Sequence, residues 1–328
     1  MRKIPVAEAV GYALCHDITR IVPGQVQEPA FKRGHVIRPE DIPVLLSLGK
    51  DHIYVWEPQE GMVHEDDAAT RIARAAAGRG IALSEPSEGK VELKAEHPGV
   101  LRVDVEALRR VNSVDQVTLV TRRDHTPVLH SGDQVASARV IPLVIAEAKV
   151  RAAEEICAAA GGILRVAPFV LRKVGVVVTG SEVYYGRIPD GFGPVLREKF
   201  GALGCDVIGV EYAPDDQARI VEAIHAMARR GAEVIVATGG MSVDPDDRTP
   251  GAIKAAGAQI VSYGVPMLPG NMFLVAYLGA IPLLGLPGCV MFKETTAFDY
   301  LVPRVLTGER IARSDLIELG HGGLLTPC

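Results

Sequence analysis

The chain has 328 residues, of which 48% are hydrophobic and 23% are charged, and its formal net charge is −5. This length exceeds what a single compact core usually fills, so it favours two domains. The negative charge argues against non-specific binding to DNA or RNA, although helix N-termini and backbone amides could still hold a small anion.

The cysteine count and the apolar runs bear on where the protein works. There are five cysteines, an odd number, and no two of them form a C-x-x-C pair. This favours a reduced cytosolic protein over a disulfide scaffold or a zinc module. The first residues lack the apolar core of a signal peptide, and no apolar run approaches the ~20 residues of a membrane helix. We therefore expect a soluble, cytoplasmic protein without a membrane partner.

The N-terminal part of the chain, residues 1–165, contains short β-like runs separated by glycine, proline and charged residues. These features predict an α+β module rich in short strands, with no indication of its role. The clearest candidates are strands at 91–95, 117–120 and 135–142 and helices at 39–48 and 66–77.

A run rich in alanine, glutamate and isoleucine follows at residues 143–160 and contains no helix breaker. It predicts a helix that stops at Gly161-Gly162. We place the domain boundary after this helix, so that the first domain covers residues 1–165 and the second covers residues 166–328.

The second half alternates buried-type strands with amphipathic segments. Strand–helix alternation with short connections predicts a parallel sheet covered by helices on both faces, a three-layer α/β/α domain. Thr249-Pro250 is predicted to open one helix, with Thr249 as its N-cap. The other predicted elements are strands at 173–179, 206–210, 233–237 and 281–286 and helices at 194–203, 215–230 and 291–306.

Three glycine-containing loops follow strands of this predicted sheet, at the edge where parallel sheets bind ligands. They are Thr179-Gly180-Ser181-Glu182, the segment that starts at Thr238-Gly239-Gly240-Met241-Ser242, and Leu286-Pro287-Gly288-Cys289. A single strand–glycine–helix turn usually serves chain geometry alone. Three such loops at one edge favour a ligand site. The sequence has no Walker A, dinucleotide-binding, serine-elbow or H-E-x-x-H motif that would explain them.

Three carboxylates, Glu182, Asp215 and Asp247, lie within a few residues of predicted strand ends. Carboxylates around a phosphate site commonly hold Mg²⁺, which then bridges phosphate oxygens. A structural alternative stays open at this point. Asp215 could simply cap the helix that follows it, and Asp247 could brace the helix start at Thr249-Pro250.

The pattern T-G-G-x-S-V-x-x-x-D-x-T-P from Thr238 to Pro250 resembles the molybdenum-cofactor biosynthesis domain. That domain is shared by molybdopterin adenylyltransferases and by the central domain of molybdopterin molybdotransferases. The resemblance runs from about residue 174 to 310. It also includes Pro214-Asp215-Asp216, Pro269-Gly270 and the two other glycine loops.

The resemblance implies a molybdopterin-binding α/β domain whose T-G-G and L-P-G loops hold the pterin and its phosphate. It implies that Glu182, Asp215 and Asp247 act as catalytic acids or as ligands of Mg²⁺. The expected partners are molybdopterin or adenylylated molybdopterin, with molybdate as a further candidate, and a homo-oligomer is expected by analogy. The implied cofactor-binding residues are Thr179, Gly180, Ser181, Thr238, Gly239, Gly240, Ser242, Pro269, Gly270, Pro287 and Gly288.

The sequence departs from the molybdotransferase pattern at the segment that resembles K-P-G-K-P, where Leu268 and Asn271 occupy the lysine positions. Two lost cations weaken attraction to an oxyanion by a few kcal/mol, taking about 1.5–3 kcal/mol for each charge-assisted hydrogen bond. The family's L-P-G-N-P segment has become Leu286-Pro287-Gly288-Cys289-Val290, and Cys289 could be either a ligand contact or a small buried hydrophobe.

The leading hypothesis is a protein of molybdenum cofactor biosynthesis that binds molybdopterin, with Mg²⁺-dependent metal insertion as its candidate reaction. The first alternative is a non-catalytic module that senses or carries the finished cofactor, which the two missing lysines favour. The second alternative is a nucleotide pyrophosphate hydrolase of the same fold, as in the competence-damage-inducible protein family.

Overall fold

The computed structural model describes residues 2–22, 26–55, 60–242 and 247–325. Two short 3₁₀ turns, Val6–Glu8 and Gly288–Met291, accompany the regular elements. The strands are β1 Arg2–Pro5, β2 Ile18–Val22, β3 Val26–Phe31, β4 His52–Val55, β5 Met62–His64, β6 Ile81–Leu83, β7 Lys90–Ala95, β8 Gly99–Val103, β9 Val117–Thr121, β10 Pro127–Val128, β11 Gln134–Val140, β12 Val144–Ala146, β13 Leu164–Pro168, β14 Lys173–Thr179, β15 Asp206–Ala213, β16 Val234–Thr238, β17 Gln259–Tyr263, β18 Leu274–Leu278 and β19 Ile281–Leu286. The helices are α1 Asp41–Ser47, α2 Glu65–Ala76, α3 Val105–Asn112, α4 Glu147–Ala159, α5 Ser181–Tyr184, α6 Phe192–Ala202, α7 Gln217–Arg229, α8 Thr249–Ala255, α9 Ala297–Leu306 and α10 Arg313–Glu318.

The chain divides into two compact units. Unit 1 comprises Met1–Glu96, Arg102–Asp124 and Gly132–Val166. Unit 2 comprises Ala167–Cys328 together with two short segments from the N-terminal part of the chain, His97–Leu101 and His125–Ser131. No sequence pattern indicates that those two segments belong to the second unit.

Unit 1 contains an antiparallel sheet of four strands in the order β6-β7-β11-β9. Strand β7 alternates half-buried and buried residues, with Val91, Leu93 and Ala95 on the buried side. Helix α2 packs on β7 and β11. Apart from Glu65 and Ile72, its buried residues are alanines, so the helix lies close to the sheet. This mixture of short strands and helices confirms the predicted α+β class.

The predicted helix at 143–160 begins later than expected, at Glu147. Residues 144–146 instead form β12, which pairs with β5, from Val144 opposite His64 to Ala146 opposite Met62. Helix propensity extends into this segment, but the backbone hydrogen bonds of a neighbouring strand outweigh it.

Unit 2 contains a sheet of six strands in the order β15-β14-β16-β19-β18-β17. The first four strands run parallel, as predicted, while β18 and β17 continue the sheet in antiparallel fashion. Strand β18 runs antiparallel to β19 because the two are joined by the short turn around Gly279, which allows only a hairpin connection.

Helices cover both faces of this sheet, which confirms the three-layer α/β/α class. Alternate residues of each strand enter different cores, because side chains of a strand point to opposite faces. Val176 and Val236 pack with residues of α6 and α9, whereas Val177 and Ile235 pack with residues of α7 and α8. Among the described residues, no helix is both long and apolar enough to cross a membrane.

Two helix starts in unit 2 differ from the predictions. Helix α9 begins at Ala297 instead of residue 291, because Thr296 caps it and Asp299 completes a capping box. Helix α7 is capped by Asp216, whose side chain accepts a hydrogen bond from the Arg219 amide, so capping is not the role of Asp215.

Candidate functional site

Four loops leave the same edge of the unit 2 sheet side by side. In the register of the parallel strands, Thr179 lies opposite Ala213, Val178 opposite Thr238, and Thr238 opposite Leu286. The segments that follow these strand ends therefore start at one level, at the carboxyl edge where open α/β sheets bind ligands. The predicted glycine loops and the loop that carries Asp215 are thus brought together.

Three buried threonines connect these loops. The Thr179 and Thr249 hydroxyls lie 2.9 Å apart in a hydrogen bond, and the Thr249 hydroxyl also donates to the Gly239 carbonyl at 2.8 Å. The Thr238 hydroxyl donates to the Leu286 carbonyl at 3.2 Å. All three side chains have 3% exposure or less, so their hydroxyls hold the loops in position from beneath.

This network changes the predicted role of Thr249. Arg248 occupies the N-cap position of α8 and makes no capping hydrogen bond through its side chain. Thr249 is the first residue of the helix, and its hydroxyl is directed to the Gly239 carbonyl. The predicted N-cap is therefore wrong in detail, and the threonine ties the helix start to the T-G-G loop.

The glycines of the site serve two different purposes. Gly239 has φ +92°, and a Cβ there would collide with the Thr179 carbonyl oxygen, so only glycine fits. Gly288 is exposed, and a Cβ added there would meet no atom within 4 Å. The fold therefore does not require glycine at position 288, and its bare backbone is open to a ligand.

Asp215 and Ser181 hold each other across two loops. The Asp215 carboxylate accepts a hydrogen bond from the Ser181 amide at 2.8 Å, and the Ser181 hydroxyl accepts one from the Asp215 amide at 3.2 Å. The pair links the loop after β14 to the loop after β15. Both residues are half-buried, so one face of the pair remains accessible to a ligand.

Glu182 and Asp247 complete the predicted acids. Glu182 is exposed, and its carboxylate lies over the Gly180 backbone, 2.7 Å from where a Cβ of that glycine would stand. Asp247 is half-buried. Val243, Asp244, Pro245 and Asp246, which join Ser242 to Asp247 in the predicted motif, lie outside the described residues.

The structure does not gather the three carboxylates into a ready metal centre. In the described part of the chain, no group of three or more His, Cys, Asp or Glu side chains is placed to hold a metal ion. Mg²⁺ often binds through one or two carboxylates and the phosphates of a substrate. The three side chains do not form such a group by themselves, and coordination of Mg²⁺ by Glu182, Asp215 and Asp247 stays a prediction.

Residues 175–307 match the family model described as a probable molybdopterin binding domain. Unit 2 contains a domain of this family. A second match covers residues 3–57 and is to a domain of unknown function.

Relatives of known name are similar to parts of the chain. A molybdopterin molybdenumtransferase of Synechococcus elongatus is 28% identical over 153 residues, which are 44% of this chain and 38% of that protein. A CinA-like protein of Mycobacterium tuberculosis is 34% identical over 77 residues, which are 24% of this chain and 18% of that protein. The chain thus spans well under half the length of these relatives. The structure of the molybdopterin biosynthesis enzyme MoaB from Thermus thermophilus aligns with 42% of this chain and 98% of its own, at 21% identity and a TM-score of 0.35.

Sequence reasoning missed Tyr263 in the molybdopterin-binding domain. Its hydroxyl donates to the carbonyls of Met241 and Ser242, at 3.0 and 3.1 Å, and so supports the T-G-G loop from β17. Burial raises the pKa of Tyr263, and the negative charge of Asp247 raises it further. No spacing signal could have identified this residue, because β17 itself was not predicted.

The segment that carries the lysine replacements has a different neighbourhood. The Leu268 amide donates to the Gly323 carbonyl at 3.0 Å, and the Leu268 carbonyl accepts from the Leu325 amide at 2.6 Å. A cavity of about 330 Å³ lies here, and none of the described residues that line it is charged. The C-terminal residues therefore pair with the segment at which molybdotransferases carry cations.

Pro269 and Gly270, predicted to contact the cofactor, pack against the start of α9. The Pro269 carbonyl accepts a hydrogen bond from the Ala297 amide at 3.1 Å. A Cβ at Gly270 would lie 2.7 Å from the Ala297 Cβ. Close packing alone accounts for these two residues, and their contact with a cofactor stays a prediction.

Proposed function

We propose that the protein binds molybdopterin at the carboxyl edge of β14, β16 and β19 and acts in molybdenum cofactor biosynthesis. One observation carries this proposal. The T-G-G and L-P-G loops of a molybdopterin-binding domain follow the ends of two paired strands. The backbone at Gly288 is open, and the fold does not require a glycine at that position. Gly240, Ser242 and Gly288 then receive the phosphate, Pro287, which has no N–H, shapes the L-P-G loop, and Thr179, Thr238 and Gly239 hold the loops in place.

Backbone amides suit this task because phosphate is bound well by unpaired N–H groups at turns and helix starts. Gly180 and Ser181 open the short helix α5, and the Asp215 carboxylate already accepts the Ser181 amide. An anion at this point would compete with that carboxylate. We therefore assign the phosphate to the T-G-G and L-P-G loops, and Asp215 orients the loop after β14 in addition to its proposed role as an acid.

Binding alone, as a carrier or sensor of the cofactor, is the second candidate function. It is favoured by Leu268 and Asn271, which leave the lysine positions of molybdotransferases uncharged and next to the C-terminal residues. Metal insertion needs attraction of an oxyanion, and no cation lines this cavity in the described residues. We propose insertion into adenylylated molybdopterin only as the enzymatic form of the same binding site, with Asp215, Asp247 and Glu182 as its acids.

Calorimetric titration separates these functions. Molybdopterin, adenylylated molybdopterin and ATP are each titrated into the full chain with and without Mg²⁺. We expect saturable binding of a pterin species and none of ATP alone. Absence of any pterin binding overturns the proposal, and preference for ATP supports a nucleotide pyrophosphate hydrolase instead. Molybdate-dependent turnover that is lost in Asp247→Asn identifies an enzyme, and binding without turnover identifies a carrier.

A glycine pair locates the binding site. Gly288→Ala adds a methyl group to open backbone, so we expect unchanged folding and about tenfold weaker pterin binding, equal to about 1.4 kcal/mol. Gly201→Ala is the matched control, because a Cβ there also meets no atom within 4 Å and the residue lies in α6, away from the four loops. Equal affinities of the two variants would place the site elsewhere.

The cellular setting is part of the proposal. We propose that the protein works in the cytoplasm, as the sequence predicts, and forms a homo-oligomer, as the analogy with the family implies. Light scattering coupled to size-exclusion chromatography should give a multiple of the 35.0 kDa chain mass. A mass of one chain at micromolar concentration would contradict the oligomer.

A further inference from the structure

A cavity of about 580 Å³ lies in unit 1 and is lined only by residues of that unit. Its volume falls within the range of roughly 300–1,000 Å³ typical of small-molecule pockets. Three arginines, Arg79, Arg102 and Arg165, line it together with a single acid, Asp104. The charged groups of the lining thus sum to a positive value in a chain whose net charge is −5.

Two glycines, Gly78 and Gly162, contribute backbone atoms to the lining of this cavity. A Cβ at Gly78 would lie 2.6 Å from the Leu164 carbonyl oxygen, and a Cβ at Gly162 would lie 3.6 Å from the Gly78 Cα. The two glycines therefore pack closely, at the ends of the segments that follow α2 and α4. The absence of side chains at both positions allows this close approach beside the cavity.

Three backbone amides in or beside the cavity lining donate to backbone carbonyls nearby. The Gly78 amide donates to the Leu164 carbonyl at 2.7 Å, and the Val166 amide donates to the Arg79 carbonyl at 2.9 Å. The Asp104 amide donates to the Ile163 carbonyl at 2.9 Å. The guanidinium groups of Arg79 and Arg165 remain as side-chain donors for a ligand.

Two acids lie near the cavity, of which one caps a helix and the other pairs with Arg102. The Asp104 carboxylate caps α3 by accepting the Ala107 amide at 2.9 Å. Asp124 accepts the Val103 amide at 2.8 Å and lies 3.6 Å from Arg102 Nε. Arg79 and Arg165 are exposed, and across the described residues neither guanidinium has an ion pair or hydrogen bond to a protein group. Like charges that share a cavity repel one another unless an anion joins them.

We propose that this cavity binds a phosphate-bearing small molecule through Arg79 and Arg165, with Arg102 as the third cation. A guanidinium presents a planar fork of N–H donors that matches two phosphate oxygens. A cavity lined by several arginines and few carboxylates therefore suits a phosphate group. The volume exceeds that of a lone phosphate ion, so the ligand is a diphosphate or a phosphorylated organic molecule. This site is independent of the pterin site proposed for unit 2.

The test uses the full chain and pyrophosphate as the probe. Phenylglyoxal labels accessible arginines, and peptide mass mapping reports the extent of labelling at each position. We expect pyrophosphate to protect Arg79 and Arg165 and to leave Arg109, an exposed residue of α3, unprotected. Because the readout is local, pyrophosphate bound to unit 2 cannot produce this pattern. Labelling of Arg79 and Arg165 that pyrophosphate does not change overturns the proposal.

Variants measure the affinity of the site. In calorimetry with pyrophosphate, the double variant Arg79→Gln/Arg165→Gln should weaken this binding by at least about tenfold, because two charge-assisted contacts are lost. The control Arg109→Gln/Arg110→Gln removes the same charge from α3 and should change affinity by less than about twofold, since exposed charges outside a site contribute little. Equal losses in the two variants would show general charge attraction, and equal protection by citrate would show that phosphate is not recognised. Either result contradicts the proposal.

Discussion

Units 1 and 2 bury polar side chains of different chemical kinds. In the described part of unit 1, the buried polar side chains are the adjacent titratable groups His64 and Glu65. In the described part of unit 2, neutral hydroxyls predominate, and the single buried cation, Arg304, is paired with Glu309 at 2.7 Å. The buried hydroxyl residues are Thr179, Thr238, Thr249, Ser262 and Thr296.

This difference separates a site that is insensitive to pH from a core that is sensitive to it. Threonine hydroxyls do not titrate, so the loops of the molybdopterin-binding domain keep their hydrogen bonds across the physiological pH range. In unit 1, burial and then the negative charge of the neighbouring Asp66 raise the pKa of Glu65 to about 7. Burial also lowers the pKa of His64, whose ring contacts the Cys15 carbonyl. Both groups thus resist charge near neutral pH.

The largest expected effect tests how rigidly unit 2 fixes its loops. Gly239→Ala forces a methyl group against the Thr179 carbonyl in a backbone conformation that favours glycine. We expect the free energy of unfolding of unit 2 to fall by about 3 kcal/mol. Hydrogen exchange in urea, followed on peptides that cover β16, measures this loss.

Gly257→Ala is the control for this prediction. Gly257 also has a positive φ, +85°, but a Cβ there meets no atom within 4 Å. Its cost should be only the backbone strain, roughly 1 kcal/mol. If the two variants were equally stable, the close approach of the Thr179 carbonyl would not be the reason that position 239 requires glycine.

The second prediction concerns the titratable core of unit 1. The raised pKa of Glu65 means that the folded state prefers the protonated carboxyl, so this stability is present at low pH. It is lost as pH rises from the ordinary pKa through about 7. Glu65→Gln mimics the protonated form. The variant should match the wild type near pH 5 and exceed its stability at pH 8 by on the order of 2 kcal/mol.

Hydrogen exchange of peptides that cover α2, measured at both pH values, checks this prediction. Glu155→Gln is the matched control, because Glu155 is an exposed carboxylate on α4. The control should show no gain at pH 8. A stability difference between Glu65→Gln and the wild type that does not vary with pH would contradict the prediction that the core of unit 1 is sensitive to pH.

Much of unit 2 could be predicted from the sequence, because its signals are local. Buried strands of a parallel sheet appear as continuous apolar runs, and glycine at strand ends indicates loops at the ligand edge. These patterns located β14, β16 and β19 and their loops. They did not predict β17 and β18. Strand β18 joins the sheet through its hairpin with β19, and β17 pairs with β18, so neither follows from strand–helix alternation.

The connections between site residues could not be predicted, because they depend on tertiary contacts. The motif includes Thr249, which the sequence predicts only as an N-cap, and nothing in it indicates that the Thr249 hydroxyl joins Thr179 to the Gly239 carbonyl. The sequence allows Asp215 to be a helix cap, and only the structure shows that Asp216 caps α7 while Asp215 holds Ser181. In unit 1, residues of the arginine-lined cavity are far apart in sequence and share no motif.

A third, smaller effect tests the neutral hydroxyl network itself. Thr249→Val keeps the shape of the side chain but removes the hydroxyl that joins Thr179 to the Gly239 carbonyl. We expect a loss of about 1.5 kcal/mol, since a buried carbonyl is left without its donor. The loss should be the same at pH 5 and pH 8. Thr249→Ser, which keeps the hydroxyl, should lose less, and a loss that varied with pH would show that a titrating group participates.

The smallest expected effect comes from Tyr263, which supports the T-G-G loop at its exposed end. Tyr263→Phe removes the donor to the Met241 and Ser242 carbonyls, and because the residue is 41% exposed we expect a loss of only about 0.5–1 kcal/mol. The raised pKa of Tyr263 means that its contribution persists below the ordinary tyrosine value near ~10 and is lost only as pH rises through the higher folded value. The difference between Tyr263→Phe and the wild type should therefore be constant from pH 6 to 9, as for the threonines. Pterin affinity should fall a few-fold, because the loop that receives the phosphate is less well held. A variant that binds pterin as tightly as the wild type would place the support of this loop in the buried threonines alone.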